Sequence, residues 1–380
     1  MGSFGGETNR GTHRVGIRNV FLHPVVFRAG CLIRPFLPPA LPKIIRARAP
    51  LRISFGGGGT DVPPYVDERG GHVLNATINR YAYVTLVPNG SDTIRLRSLD
   101  YGDEVSYQID DPVPAFNYQM DLAKGVIRRL DINPDHGGFD LFTHTECPPG
   151  SGLGASSTMM VALLGAFDRW LRLGLDRYET ARLACDIERN DLGIKGGKQD
   201  LYAAAFGGFN FMEFDGDRTL VNPLRVPPEW VNELEYGLVL AYTGQSRFSS
   251  DIIEDQMRNA TTGQAAPLDA MHRTKAIASE MKQCLLTGDF PAFGDKLDEA
   301  WQVKKQMSDK ISNPMIDALY EAARAAGAVG GKISGAGGGG FMFFFTAFDS
   351  RHRVVEALEK HGARVVHFGF TNRGMQTWLR

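Results

Sequence analysis

Residues 148–158, with the sequence Pro-Pro-Gly-Ser-Gly-Leu-Gly-Ala-Ser-Ser-Thr, combine the residue types that a phosphate site needs. Glycines at 150, 152 and 154 allow positive φ angles and a close approach of the backbone to a bulky anion. The apolar periodicity from Met159 predicts a helix directly after this turn, whose free N–H groups and positive dipole end would face the anion. Ser156 and Ser157 place hydroxyls where a nucleotide's Mg²⁺ could be reached. The segment lacks the G-x-x-x-x-G-K-[ST] pattern, so it is not a P-loop.

Two more glycine-rich segments flank this one in the chain. Residues 56–59 are four glycines followed by Thr60 and Asp61, and residues 330–340 form a glycine-rich segment that enters an apolar run at 341–345. One such segment is weak evidence, since glycine also serves tight turns and close strand–helix packing. Three in one chain favour an anion-binding role, and we interpret 330–340 as a loop.

Two acids, Glu188 and Asp200, are separated by a loop rich in glycine and lysine at 193–199. Phosphoryl transfer needs a carboxylate on Mg²⁺, positive charge on the moving group and a residue that accepts or orients the attacking hydroxyl. Glu188 and Asp200 could fill the two carboxylate roles. Taken alone, an acid at a helix end is more often a solvated or capping group.

The composition excludes several function classes. The 380 residues are 43% hydrophobic with a formal net charge of -1, which gives no indication of nucleic acid or an anionic membrane as a partner. The scattered cysteines 31, 147, 185 and 284 favour neither disulfides nor a zinc site, so we expect a cytoplasmic protein. No apolar run is long enough to predict a membrane span.

The N-terminal residues 1–43 differ from the rest. They carry six basic residues against one acid, Glu7, and prolines and glycines interrupt every apolar patch. We expect a disordered basic extension; a targeting peptide and a start codon placed too far upstream stay open.

Regular patterning begins near residue 44 and predicts an α+β protein with helices and strands in mixed order. The expected strands are 44–55 (broken at Pro50), 72–87, 93–98, 139–144, 206–214, 236–243, 341–345 and 364–370. The expected helices are 117–130, 159–171, 178–191, 267–287, 290–307, 314–326 and 351–361. A break at about 222–235 predicts two domains, 44–230 and 231–380.

The three glycine segments resemble the signature motifs of the kinase superfamily named after galactokinase, homoserine kinase, mevalonate kinase and phosphomevalonate kinase (GHMP). The second motif, P-x-x-x-G-L-G-S-S, corresponds to Pro148 and Gly152-Leu153-Gly154-Ala155-Ser156, with alanine in place of the first serine. Ala49-Pro50-Leu51-Arg52 with residues 57–61 resembles the first motif, with glycines at the Glu-His positions of galactokinases. Residues 332–340 resemble the third. The resemblance covers about 44–380 and implies an N-terminal domain like domain 2 of ribosomal protein S5 and a ferredoxin-like C-terminal domain.

Within the superfamily, the chain most resembles the heptose 7-phosphate kinases, and the fucokinases are near relatives. Residues 56–61, 74–78, 191–200 and 310–314 carry this resemblance. It implies an ATP-dependent transfer to the anomeric hydroxyl of D-glycero-α-D-manno-heptose 7-phosphate, which gives the 1,7-bisphosphate. A fucokinase-like or other hexose 1-kinase and a non-catalytic sugar or nucleotide sensor on the same fold are the alternatives. The missing Glu-His pair argues against galactose.

The resemblance also implies residue roles, with ATP and Mg²⁺ as cofactors. Asp200 would be the base and Arg52 the catalytic cation, while Ser156 and Glu188 would hold Mg²⁺. ATP would be bound by Pro149, Gly150, Ser151, Gly152, Leu153, Gly154, Ala155, Ser156 and Ser157. The sugar would be bound by Gly58, Gly59, Thr60, Asp61, Lys198, Gly335, Ala336 and Gly337.

A substrate that already carries a 7-phosphate needs a second anion site, for which lysine and arginine are the natural partners. Lys195, Lys198, Lys304 and Lys305 are the candidates, because they lie in segments that resemble heptose kinases. Each could instead be a solvated surface lysine. The sequence does not indicate the oligomeric state or the adenine contacts.

Overall fold

The computed structural model describes residues 44–148, 150–244, 249–261 and 265–380, all within a unit that spans Pro42–Arg380. The expected basic extension 1–43 and the candidate ATP ligand Pro149 therefore lie outside the described residues.

The described residues alternate between strands and helices, which confirms the α+β prediction. The strands are β1 (Ile45–Gly56), β2 (Gly71–Pro88), β3 (Thr93–Ser98), β4 (Glu104–Gln108), β5 (Phe139–Thr145), β6 (Phe209–Asp215), β7 (Arg218–Pro223), β8 (Leu238–Tyr242), β9 (Ala328–Ile333), β10 (Phe341–Thr346), β11 (Arg364–Val366) and β12 (Gln376–Leu379).

The helices include several that the sequence pattern did not predict, among them α5 and α7. They are α1 (Tyr65–Arg69), α2 (Asp121–Arg129), α3 (Ala155–Leu171), α4 (Arg177–Asp186), α5 (Gln199–Phe206), α6 (Pro228–Gly237), α7 (Ser249–Thr261), α8 (Ala265–Thr287), α9 (Phe290–Lys305), α10 (Pro314–Ala325) and α11 (Arg351–Lys360). A π-helical turn, Ile187–Asp191, continues α4. None of the helices described is long and apolar enough to cross a membrane.

The described strands form two sheets. The larger has the order β12-β1-β2-β5-β3-β4, and β6 joins β2 and carries β7; the smaller has the order β11-β8-β10-β9. Strand β2 is 18 residues long, so its beginning pairs with β6 and its end with β5. Because β12 returns to pair with β1, Gln376–Leu379 belongs to the larger sheet. The division into domains 44–230 and 231–380 stays a prediction.

Helix α3 lies at the centre of the first hydrophobic core. Its residues from Thr158 to Phe167 are all buried, and it contacts β1, β2, α2, α4 and α5. A helix that is apolar on every side is stable only inside a core. This packing fixes the N-terminus of α3, directly after the glycines at 150–154.

Aromatic contacts fix the end of β1 against the smaller sheet. Phe55 packs edge-to-face on Phe293 of α9 at 5.4 Å and on Phe343 of β10 at 5.9 Å between ring centroids. Such pairs add about 0.5–1.5 kcal/mol each beyond simple burial. The end of β1, where the glycines at 56–59 begin, is therefore held in a fixed position.

Three expectations from the sequence are wrong in detail. Strand β1 is not broken at Pro50, where only a register shift against β2 occurs. The segment 330–340 is not wholly a loop, because its first residues lie in β9: a Cβ on Gly330 would come within 2.1 Å of the Gly294 carbonyl oxygen, so the glycine allows α9 to pack closely. The expected strand 206–214 begins only at Phe209, because the chain up to Phe206 is helix α5.

Candidate active site

Arg52 and Asp200 form a buried ion pair between β1 and α5. The Nε and Nη2 atoms of Arg52 each lie 2.6 Å from Oδ1 of Asp200. The Arg52 side chain is 3% exposed and that of Asp200 is 20% exposed. Burial raises the pKa of Asp200, and the charge of Arg52 opposes this shift. The pair therefore joins a carboxylate of increased basicity to a fixed positive charge.

The same arginine contacts the second glycine loop (residues 150–154). Arg52 Nη1 donates to the Gly152 carbonyl oxygen at 2.6 Å, and Ser334 Oγ donates to the same oxygen at 2.9 Å. A Cβ on Gly152 would lie 2.3 Å from the Ser334 carbonyl oxygen. The third glycine loop (residues 334–340) thus touches the second through its backbone, and both adjoin Arg52.

The first glycine loop (residues 56–59) leads into Asp61, which is fully buried. Asp61 Oδ1 accepts from the Gly59 N–H at 3.1 Å, and Oδ2 accepts from the Gln199 N–H at 2.9 Å. Gln199 is the first residue of α5, so Asp61 caps the helix that carries Asp200. Oδ1 also accepts from Gln199 Nε2 at 3.4 Å, so Oδ2 is the oxygen that retains a lone pair for another donor.

Glu188 lies beside the first turn of α3. Its Oε2 accepts from Ser157 Oγ at 3.0 Å, whereas Oε1 is buried without a hydrogen-bond partner. Burial raises the pKa of Glu188 to about 7. Ser156 is exposed on the same turn. The hydroxyl bonded to Glu188 is thus that of Ser157, and a metal shared by Ser156 and Glu188 stays a prediction.

Known proteins are similar to this chain in sequence. Residues 119–208 match the GHMP kinases N terminal domain and residues 281–364 the GHMP kinases C terminal domain. The D-glycero-alpha-D-manno-heptose 7-phosphate kinase of Campylobacter jejuni is 41% identical over 339 residues, which are 88% of this chain and 99% of that protein. The chain belongs to the GHMP kinase family. It is an ATP-dependent sugar kinase.

Solved structures of the family have the same fold. A D-glycero-D-manno-heptose 1-phosphate kinase from Bacteroides thetaiotaomicron has a TM-score of 0.74 and 39% identity, covering 88% of this chain and 99% of that one. The Lactococcus lactis galactokinase in complex with galactose has a TM-score of 0.70 at 20% identity, covering 88% and 95%. The second likeness concerns the fold alone.

Of the four lysines considered for a second phosphate, Lys304 lies inside this kinase site. It is 4% exposed, and its Nζ donates to the Gly335 carbonyl oxygen at 2.6 Å. Burial, and then the charge of Arg52, lower the pKa of Lys304 to about 8, while Asp61 and Asp200 oppose the shift.

The other three candidate lysines have partners elsewhere. Lys198 is buried and donates to the Gly216 carbonyl oxygen at 2.5 Å. Lys195 is half-exposed and pairs with Glu254 of α7 at 2.6 Å. Lys305 lies over the ring of Trp301 at 5.5 Å. Of the four lysines, Lys304 alone is shown bonded to a carbonyl oxygen of the third glycine loop.

Two residues near the GHMP kinase site were missed from the sequence. Lys332, 3% exposed, donates to the carbonyl oxygens of Ser54 and Phe55, both at 3.2 Å, and ties β9 to β1. Gln256 of α7 lies 3.6 Å from the Cβ position of Gly59 and donates to the Ala336 carbonyl oxygen at 3.4 Å. Lys332 could have been found from the sequence, because it lies in the third motif. Gln256 could not, because the sequence of α7 is polar and does not clearly predict a helix.

Proposed function

We propose that this kinase transfers the γ-phosphoryl group of ATP to the anomeric hydroxyl of D-glycero-α-D-manno-heptose 7-phosphate and forms the 1,7-bisphosphate. The Arg52–Asp200 pair carries the proposal, because it lies where the second and third glycine loops touch. The similarity to the heptose kinase of C. jejuni over 99% of its length supports the choice of sugar.

Asp200 would accept the proton of the sugar hydroxyl as its oxygen attacks the γ-phosphorus. Burial raises the pKa of this carboxyl, which makes it a better base than an exposed aspartate. An anomeric hydroxyl is more acidic than an ordinary alcohol, so partial proton transfer suffices. Arg52 would hold Asp200 in place and stabilise the charge of the transferring group.

The ATP phosphates would lie over the second glycine loop at the N-terminus of α3. Gly150, Gly152 and Gly154 all have positive φ, of 65°, 76° and 80°. This leaves the first N–H groups of α3 directed towards an anion. The N-terminal dipole of a buried, immobile helix adds to that attraction.

The residues present fit a Mg²⁺ ion bound together with ATP. Glu188 has a buried oxygen, Oε1, without a partner, and Ser156 is exposed on the adjacent turn. Within the described residues, no group of three or more His, Cys, Asp or Glu could hold a metal by itself. This suits Mg²⁺, which typically uses one or two carboxylates with substrate phosphates and water. When bound, Mg²⁺ would neutralise charge on those phosphates.

The sugar would lie between the first glycine loop and the third. Asp61, Gly58 and Gly59 would contact its hydroxyls from one side, and residues 335–337 would close the other. Thr60, which the resemblance also implied, is buried, and its hydroxyl bonds the backbone of Gly57 and His72 instead. Lys195 is the candidate for the 7-phosphate that remains accessible, at 50% exposure, and it lies two residues from Gly197, which packs against Asp61. A Cβ on Gly197 would come within 2.1 Å of Asp61 Oδ2.

The test is ADP release by residues 44–380 with Mg-ATP and a panel of acceptors, followed by ³¹P NMR of the product. The panel contains heptose 7-phosphate, heptose 1-phosphate, unphosphorylated heptose, fucose and galactose. We expect turnover with the 7-phosphate and a new anomeric phosphate signal. Product phosphorylated at another position, or turnover only with heptose 1-phosphate or fucose, would contradict the proposal.

A matched set of variants tests the second anion site. Lys195→Ala should raise KM for heptose 7-phosphate and leave KM for unphosphorylated heptose unchanged. Lys305→Ala serves as the surface control. If alanine at each of 195, 198 and 304 leaves KM for the phosphorylated sugar unchanged, as the control should, none of these three lysines binds the 7-phosphate.

A further inference from the structure

Lys304 is a buried lysine in an unusual setting. Its side chain is 4% exposed, and its Nζ donates to a single carbonyl oxygen, that of Gly335. Within the described part of the chain, no carboxylate lies within ion-pairing distance of Lys304. Lysine is almost never fully buried without a partner, because the interior disfavours its charge.

The carboxylates near Lys304 are engaged by other groups. Arg52 on β1, Asp61 after β1 and Asp200 on α5 act on the charge of Lys304, and Lys332 on β9 feels it. Asp200 is bonded to Arg52, and Asp61 accepts from the N–H groups of Gly59 and Gln199, so neither acid is paired with Lys304. Lys332 is bound to main-chain carbonyls and so does not itself face an acid. An anion entering this site would therefore find uncompensated positive charge.

Arg52 of β1 and Lys304 of α9 make equivalent contacts to the two glycine loops. Arg52 donates to the Gly152 carbonyl oxygen of the second loop, and Lys304 donates to the Gly335 carbonyl oxygen of the third, each at 2.6 Å. These two glycines touch: a Cβ on Gly335 would lie 2.7 Å from the Gly152 carbonyl oxygen. One cation is thus anchored on each loop at the point where the loops meet.

We propose that Lys304 is a second cation for the transferring phosphoryl group. The Lys304 ammonium contacts that group beside the third glycine loop, while Arg52 acts beside the second. This rests on the proposed phosphotransfer. In the step, the acceptor oxygen forms a bond to the γ-phosphorus while the bond to the β–γ bridging oxygen breaks, and ADP leaves with that electron pair. The hydroxyl proton goes to Asp200, and Lys304 keeps its proton throughout. Its charge opposes the negative charge on the equatorial oxygens.

The experiment compares Lys304→Gln, Lys304→Met and Lys304→Arg with the matched control Lys305→Gln on the same helix turn. Glutamine keeps a donor for a carbonyl but removes the charge, whereas arginine keeps the charge. We expect kcat to fall about 10²–10³-fold in the glutamine and methionine variants, as when a donor to a developing oxyanion is removed. KM for the sugar should change little, and arginine should restore part of kcat.

The pH profile adds a readout that a structural role would not move. Loss of the Lys304 proton should limit wild-type kcat/KM on the alkaline side, and Lys304→Arg should shift that limb to higher pH. Burial, and then the charge of Arg52, favour deprotonation of Lys304, and Asp61 and Asp200 oppose it. Calorimetric ATP binding and the melting temperature identify any variant that has not folded. If the glutamine and methionine variants do not fold, the kcat and pH profile of Lys304→Arg test the role of Lys304.

Two results would overturn this role. One is a kcat of Lys304→Gln within about threefold of wild type, which would reduce Lys304 to a loop anchor. The other is a loss confined to KM for heptose 7-phosphate and absent with unphosphorylated heptose, which would make Lys304 a 7-phosphate ligand. A wrong assignment of the sugar is detected separately, because it shows in which sugars the wild type phosphorylates. In that case the kcat values of the variants and the wild type are compared on the sugar that is accepted, or on ATP hydrolysis if no sugar is accepted.

Discussion

Arg52 directs two nitrogens at one carboxylate oxygen of Asp200, Oδ1, and leaves the other, Oδ2, beside the second glycine loop. A Cβ on Gly154 would lie 2.9 Å from that Oδ2. One oxygen of Asp200 is therefore held by the guanidinium, while the second faces the place where the α3 N-terminus would bind phosphate. In the proposed mechanism, Oδ2 would therefore be the proton acceptor.

Asp200→Ala should abolish turnover and leave ATP binding nearly intact, because Asp200 lies beside the phosphate loop without being part of it. We expect kcat to fall at least 10³-fold, with the Kd for ATP within about threefold of wild type. Single-turnover kinetics and calorimetry measure the two quantities. A variant with wild-type kcat would remove Asp200 from the mechanism.

Gly152→Ala should be far more damaging than Gly174→Ala. Both glycines have positive φ, 76° and 73°, so alanine has a similar backbone cost at each. A Cβ on Gly152 would come within 2.3 Å of the Ser334 carbonyl oxygen, whereas one on Gly174 would meet nothing within 4 Å. We expect kcat/KM for ATP to fall at least tenfold in Gly152→Ala alone. Equal activity in the two variants would show that the contact between the loops is dispensable.

Glu188→Gln and Ser156→Ala should each raise the Mg²⁺ concentration needed for half-maximal activity by tenfold or more. Glutamine keeps the size of Glu188 but loses the charge that a hard cation requires. Titration of turnover with Mg²⁺ at fixed ATP measures the effect, and Lys305→Gln is the control. If the Mg²⁺ requirement is unchanged in Ser156→Ala but altered in Ser157→Ala, the hydroxyl that binds the metal is that of Ser157, which bonds Glu188.

Lys304→Met should remove a pH dependence from stability. Because burial lowers the pKa of Lys304 from 10.5 to about 8, the folded protein binds fewer protons than the unfolded one between these values. The free energy of unfolding therefore rises with pH in that window, and Lys304 accounts for about 3 kcal/mol of this rise at most. Below pH 8 the lysine is protonated in both states, so this rise is absent. In urea unfolding, the free energy of unfolding of the wild type relative to Lys304→Met should be higher at pH 10 than at pH 7. Equal slopes would place the Lys304 ammonium in water.

The elements that the sequence predicted correctly have local signals. The apolar periodicity after Met159 predicted α3, and the alternation at 93–98 predicted β3 with the bounds that the structure gives. Helix α7 was missed because two polar residues, Asp255 and Gln256, share its buried face with Ile252 and Ile253. The short edge strand β12 was missed because none of its residues is fully buried. Glycine at 330 and 331 indicated a loop, but these residues lie in β9, where their small size permits close packing against α9 and β10.

The sequence by itself determined the family, the order of the three glycine motifs and the types of the candidate residues, because turn and phosphate chemistry depend on local residue types. Only the tertiary structure decided that Asp200 faces Arg52 across 148 positions, that Ser157 bonds Glu188, and that Lys304 alone of four lysines enters the site. These contacts depend on how α5 and α9 pack against β1 and β9. Such packing sums many weak long-range contacts and leaves no local pattern in the chain.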